Sequence, residues 1–169
     1  AGIRLHLVDQ RRTLPETAFS FKGTLRDYQI EAVQAVLHRD FGVLEASTGS
    51  GKTIIAMGII AARKQPALVI VHTKELLNQW VERIETFLGI DRAEIGVIGG
   101  GRAKIGDKIT VGIVNSVSPI AQEIRERFGF IIVDECHRCP SRAFTEAVGT
   151  FDSRYMLGLS ATPWRSDGL

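Results

Sequence analysis

The chain has 169 residues, of which 44% are hydrophobic and 24% charged, with a formal net charge of +2. That is enough for one domain with a sizeable core, while the longest apolar run, Ile54–Ala62, is too short to cross a bilayer and contains Gly58. Two cysteines, Cys136 and Cys139, exclude a disulfide framework and agree with a reducing compartment, so a cytoplasmic location is expected.

The mildly basic balance permits nucleic acid as a partner without arguing for it. No basic stretch leading into an apolar run opens the chain, so secretion is not expected. With Ala1 first and Leu169 last, the sequence reads as a piece of a longer protein. Cys136, His137 and Cys139 crowd three metal-binding side chains into four residues, but no fourth ligand stands at usual spacing and a metal cluster is not expected.

Residues 1–23 mix charges with Pro15 and read as an arm or edge segment; the domain proper is expected over 24–169. Thr24–His38 reads as an amphipathic helix capped by Thr24, with Leu25, Tyr28, Ala32, Val33 and Val36 inward. A short strand, Gly42–Ala46, precedes a helix over Gly51–Arg63. A strand at Ala67–His72 precedes a helix over Lys74–Phe87, with Leu76, Leu77, Trp80 and Ile84 inward. Later strands are expected at Glu94–Ile98, Thr110–Val114, Phe130–Asp134 and Tyr155–Leu159, and later helices at Val117–Phe128 and Ser141–Val148. Continuous apolar runs such as Ala67-Leu68-Val69-Ile70-Val71 suit strands buried on both faces. The expected fold is therefore α/β, a mostly parallel sheet with helices on both faces and ligands at the carboxyl ends of the strands.

Two motifs fall at such ends. Ala46-Ser47-Thr48-Gly49-Ser50-Gly51-Lys52-Thr53 joins a strand to a helix. Gly49 and Gly51 let the backbone wrap a phosphate, with the N–H groups of Thr48, Gly49, Ser50 and Gly51 turned inward. The helix that follows adds about half an elementary charge at its N-terminus. Lys52 is suited to the β- and γ-phosphates and the Thr53 hydroxyl to Mg²⁺. The second motif ends the run Phe130-Ile131-Ile132-Val133 with Asp134-Glu135. Asp134 is the expected Mg²⁺ holder, through water, and Glu135 the group that orients or deprotonates the attacking water. ATP with Mg²⁺ is the expected ligand.

In this order the words resemble the first RecA-like lobe of superfamily 2 helicases and translocases, nearest to its XPB-like branch. The resemblance covers about Thr24 to Leu169. Leu25-Arg26-Asp27-Tyr28-Gln29 is similar to the family's word before the phosphate loop, which implies that Gln29 reads the adenine edge and Arg26 flanks the base. Ala46–Thr53 resembles its first motif, and Asp134-Glu135-Cys136-His137 its DExH box. Ser160-Ala161-Thr162 resembles the motif coupling nucleotide state to movement, which implies a catalytic-site role for His137 and a coupling role for Ser160 and Thr162. Thr73-Lys74, Gly99-Gly100 and Asn115-Ser116 resemble three segments that touch the nucleic-acid backbone.

The resemblance implies DNA as partner, with RNA also open, and a second RecA-like lobe of the same full-length chain. One departure stands out: where the branch often carries Arg-Glu-Asp, this chain has Arg165-Ser166-Asp167, which puts strand separation in question more than ATP use. Two other readings remain at this point, a P-loop kinase acting on a small molecule and a nucleotide-binding module without motor activity.

Overall fold

A computed structural model describes residues 3–138 and 142–161. Cys139, Thr162 and Arg165–Asp167 lie outside the described residues. The elements run α1 (Asp27–Leu37), β1 (Phe41–Glu45), α2 (Lys52–Arg63), β2 (Ala67–Val71), α3 (Lys74–Leu88), β3 (Gly96–Gly99), β4 (Arg102–Lys104), β5 (Ile109–Ile113), α4 (Val114–Val117), α5 (Ala121–Ile124), β6 (Phe130–Val133), α6 (Arg142–Thr150) and β7 (Tyr155–Ser160).

The seven strands form one sheet in the order β1-β7-β6-β2-β5-β3-β4. Every described pairing is parallel except that of β3 with β4. Alternation along each buried strand divides the core in two. Ala67, Val69 and Val71 face α1–α3, together with Val111, Ile132 and Leu157. Leu68 and Ile70 face the other layer, with Val117, Ile124, Phe128 and Ile131. Both faces of the central strands are thus covered, as their unbroken apolar text required.

Four local expectations are corrected. The first helix begins at Asp27 and not at Thr24, because Arg26 is extended and its N–H donates to Gln29 Oε1 at 2.9 Å. Tyr28 is not inward: it is 45% exposed, and Gln29, buried, takes that place in the first turn. The single helix expected over Val117–Phe128 is instead four short segments, α4, a 3₁₀ turn at Ser118–Ile120, α5 and a second 3₁₀ turn at Arg125–Arg127. Pro119 is the cause, since it lacks an N–H and its ring crowds the preceding turn. Finally β4 was not foreseen. Gly99, Gly100 and Gly101 all take positive φ (143°, 60° and 80°), which turns the chain back on β3 at no steric cost.

Residues 9–22 run beneath the sheet at the amino ends of the strands. Arg12 bridges Ser153 in parallel and its guanidinium meets Asp152 at 3.0 Å. The buried Gln65 amide clamps Leu14 from both sides, accepting its N–H at 2.8 Å and donating to its carbonyl at 2.9 Å. Lys22 N–H then reaches Phe87 O at the end of α3.

Candidate nucleotide and nucleic-acid sites

Strand order decides which motifs become neighbours. The phosphate loop leaves β1, Ser160 ends β7, Asp134 follows β6 and Thr73 follows β2, in four adjacent positions of the sheet. Backbone bonds carry the ladder past the strand ends: Ala46 N–H donates to Ser160 O at 3.1 Å, and Asp134 N–H to Ile70 O at 3.0 Å. The three motifs expected around the nucleotide therefore stand side by side. Asn115 and Ser116 open α4 after β5, and Gly99–Gly100 follows β3, farther along the same edge.

The phosphate loop has room beside it. A cavity of about 580 Å³ is bordered by Tyr28, Glu45 and the loop from Ala46 to Ser50. Gly49 and Gly51 hold φ of 85° and 82°, a region side chains rarely adopt. Gly49 also faces open space, and Ser50 Oγ is buried with no partner among the described residues. An orphaned hydroxyl in a glycine-bearing loop at a helix start fits a polyphosphate, although the Ser50 N–H, expected to turn inward, donates instead to Ser47 O at 3.1 Å. Lys52 Nζ meanwhile donates to Ala46 O at 2.8 Å and Ser47 O at 3.3 Å, carbonyls of the loop it belongs to. Thr53 sits in the first turn of α2.

Gln29 ties the adenine-side word to this loop. Its Nε2 donates to Ser50 O at 3.1 Å, and Tyr28 OH donates to the same carbonyl at 2.9 Å. The ring bordering the cavity is thus that of Tyr28, while Arg26 serves as N-cap of α1. Tyr28 was missed as a site residue because its position in a 3.6-residue repeat reads as core.

The acidic turn shows how two consecutive carboxylates separate. Glu135 takes a left-handed conformation, φ 53°, uncommon for a residue with a Cβ. Its N–H donates back to Asp134 Oδ1 at 2.9 Å, while Asp134 Oδ2 accepts the indole N–H of Trp80 at 2.8 Å. Burial, helped by the neighbouring Glu135 charge, pushes the Asp134 carboxyl above its ordinary value; these two donors and nearby Lys52 pull it back in part. Glu135 Oε2 lies 3.8 Å from His137 Nε2, and His137 Nδ1 is 3.2 Å from Ser160 Oγ. That contact joins the end of β7 to the acidic turn. The helical repeat predicts Trp80 as core, and it is only 2% exposed. Nothing in a helical repeat signals that an inward indole also donates to a neighbouring strand end.

On the other half of the edge, Thr73 caps α3, its Oγ1 accepting from Leu76 N–H at 3.2 Å. Lys74 and Asn115 are exposed and Ser116 is half-buried. These residues lie on one surface but do not converge on one point.

The chain is similar to known proteins in sequence and in fold. Residues 22–165 match the family described as type III restriction enzyme, res subunit. The chain is 40% identical over 156 residues to the DNA 3'-5' translocase XPB2 of Sulfurisphaera tokodaii, covering 92% of this chain and 35% of that protein. It is 32% identical over 168 residues to the probable helicase D10 of Escherichia phage T5, covering 99% of this chain and 36% of that one. The chain thus spans about a third of the length of these relatives.

Among solved structures, the T4 UvsW crystal structure superimposes with a TM-score of 0.74 at 23% identity, over 88% of this chain and 32% of that one. The Sulfolobus solfataricus SWI2/SNF2 ATPase core in complex with dsDNA gives 0.73 at 22%, over 92% and 35%. These two likenesses show the fold. The family match, the XPB-like relatives and the order of motifs along the sheet edge together establish that this chain belongs to the type III restriction enzyme res-subunit family, as an XPB-like superfamily 2 first lobe with a RecA-like fold.

Proposed function

We propose that the chain is the ATP·Mg²⁺-binding lobe of a DNA-dependent motor ATPase, which couples hydrolysis to movement in concert with a second RecA-like lobe. The observation that carries this is the 3.2 Å contact of Ser160 Oγ with His137 Nδ1. It makes the end of β7 and the acidic turn one hydrogen-bonded unit beside the phosphate loop. A kinase has no use for such a link, whereas a motor needs nucleotide state to reach another strand end.

In this reading Thr48–Lys52 cradle the phosphates, Lys52 leaving its loop carbonyls for the β- and γ-phosphates. Mg²⁺ would be held by Thr53 and, through water, Asp134, and it supplies charge neutralisation at the transferring phosphoryl group. Glu135 orients or deprotonates the attacking water from a left-handed backbone position. Strain of this kind is held where the surroundings over-determine it. Gln29 and Tyr28 report the base to the phosphate loop through Ser50 O. Thr73–Lys74, Gly99–Gly100 and Asn115–Ser116 supply backbone contacts that fix position and not sequence. DNA is the polymer favoured, because the XPB2 relative is a DNA translocase.

The test is a pair of substitutions in the full-length protein. Lys52→Ala should lower ATP affinity about 100-fold, the scale of a lost charge-assisted hydrogen bond. Glu135→Gln should bind ATP normally and fail to hydrolyse it. Normal turnover by Glu135→Gln would remove Glu135 from its role.

A further inference from the structure

Between α3 and the β3–β4 hairpin lies a cavity of about 650 Å³, larger than that on the phosphate loop. Its floor is apolar, with Leu77 and Val81 of α3. Its walls carry four exposed cations: Lys74 at the start of α3, Arg92 after its end, and Arg102 and Lys104 on β4. In the hairpin register Arg102 stands opposite Gly99 and Lys104 opposite Val97. Val97 packs into the core beneath α3, so the two β4 cations share the face turned to that helix.

Two of these charges are partly engaged. Arg92 lies 3.6 Å from Glu85, and the Lys104 ammonium donates to Ala93 O. The side chains of Lys74 and Arg102 make no hydrogen bond or ion pair among the described residues. The acidic side chain in the lining, Asp91, is turned to the Ala93 N–H at 2.8 Å. The groove therefore holds positive charge in surplus.

We propose that this groove holds a stretch of the DNA phosphodiester backbone, carrying the nucleic-acid surface beyond Thr73–Lys74 and Gly99–Gly100 and down the flank of the lobe through Arg102, Lys104 and Arg92. The inference rests on the motor reading above. Cations on two walls over an apolar floor read charge and not base edges. A lone phosphorylated metabolite is held by donors that converge; here they are spread over three segments of chain. From Lys74 to Val81 the helix rises about 10 Å at 1.5 Å per residue. One strand of B-DNA carries a charge every ~3.4 Å along the axis, so that length faces roughly three phosphates. The hairpin lies at the end of the sheet opposite β1, so the groove acts on affinity and path and not on the chemistry.

The experiment measures duplex DNA binding by the full-length protein at several salt concentrations, for wild type, Arg102→Ala, Arg92→Ala/Arg102→Ala and Arg102→Lys. Each cation removed should lower affinity about tenfold near 0.1 M salt and reduce the slope of log K against log salt by about 0.9. Arg102→Lys should keep the wild-type slope. The DNA concentration giving half-maximal ATPase stimulation should rise with the maximal rate kept. Wild-type affinity and slope in the alanine variants would overturn the inference and leave the motor reading standing. An affinity loss with unchanged slope would overturn it too, since it would mark Arg102 as a prop of the hairpin. Wild-type protein that bound no DNA at any salt would overturn both readings.

Discussion

Trp80 and Asp134 show how much one hydrogen bond can organise. The indole N–H occupies one oxygen of the carboxylate and the Glu135 N–H the other, so the group has one orientation relative to Lys52 and Thr53. Trp80→Phe keeps an aromatic ring, smaller than the indole, and deletes the donor. A buried hydrogen bond to a charged acceptor contributes about 1.5–3 kcal/mol. The denaturant midpoint should fall accordingly, and the Mg²⁺ concentration for half-maximal ATPase should rise. An unchanged Mg²⁺ requirement would make the indole a packing group only. The carboxylates and the lysine were legible in the sequence because they sit at fixed offsets from a strand and from glycines. Trp80 and Tyr28 were not. Their roles come from which strand end lies across from them, which no local repeat encodes.

At the scale of elements, the arm and the hairpin behave differently from the core strands. Gln65→Ala removes both hydrogen bonds to Leu14 and should free residues 9–22, seen as faster hydrogen exchange there with β2 and β6 still protected. Equal exchange across the whole chain would show the arm to be part of the global folding unit. Acid should act on the same segment. Arg12 holds the Asp152 carboxyl below its ordinary value of 3.8. A depressed carboxyl stabilises the fold above pH 3.8 and loses that contribution as pH falls through its lowered folded value. Protection of the arm, measured relative to intrinsic exchange, should therefore fall below about pH 3.8 in wild type, and the step should be smaller in an Asp152→Asn variant, where the Arg11–Asp40 pair remains. Long apolar strands were readable because burial on both faces leaves an unbroken apolar text, and α3 because its inward residues recur at helical spacing. Pro119 is equally visible, yet the apolar periodicity around it predicts one helix, and Gly99–Gly100, which resembles a contact segment, is also part of a chain reversal.

At the scale of the whole molecule, the order β1-β7-β6-β2-β5-β3-β4 converts a list of motifs into a surface with two halves. One half, from β1 to β6, gathers the phosphate loop, Ser160 and the acidic turn. The other, from β2 to β4, presents Thr73, Asn115, Gly99 and the basic groove. α3 spans both, with its capped start on the second half and Trp80 bonded to the first. Among the described residues no helix is long and apolar enough to cross a membrane. Under the proposed motor function, phosphoryl transfer would draw on an arginine from a second lobe, worth about 10³–10⁵ in rate. Residues 1–169 alone should accordingly bind ADP·Mg²⁺ in calorimetry while turning over ATP negligibly; robust hydrolysis by this segment would contradict the proposed need for a second lobe. The central claim, that nucleotide chemistry on one half serves a polymer on the other, is tested most directly by the ATPase rate of the full-length protein with and without nucleic acid. The account predicts strong stimulation by DNA, lost in Glu135→Gln; an ATPase indifferent to DNA and RNA alike would contradict it.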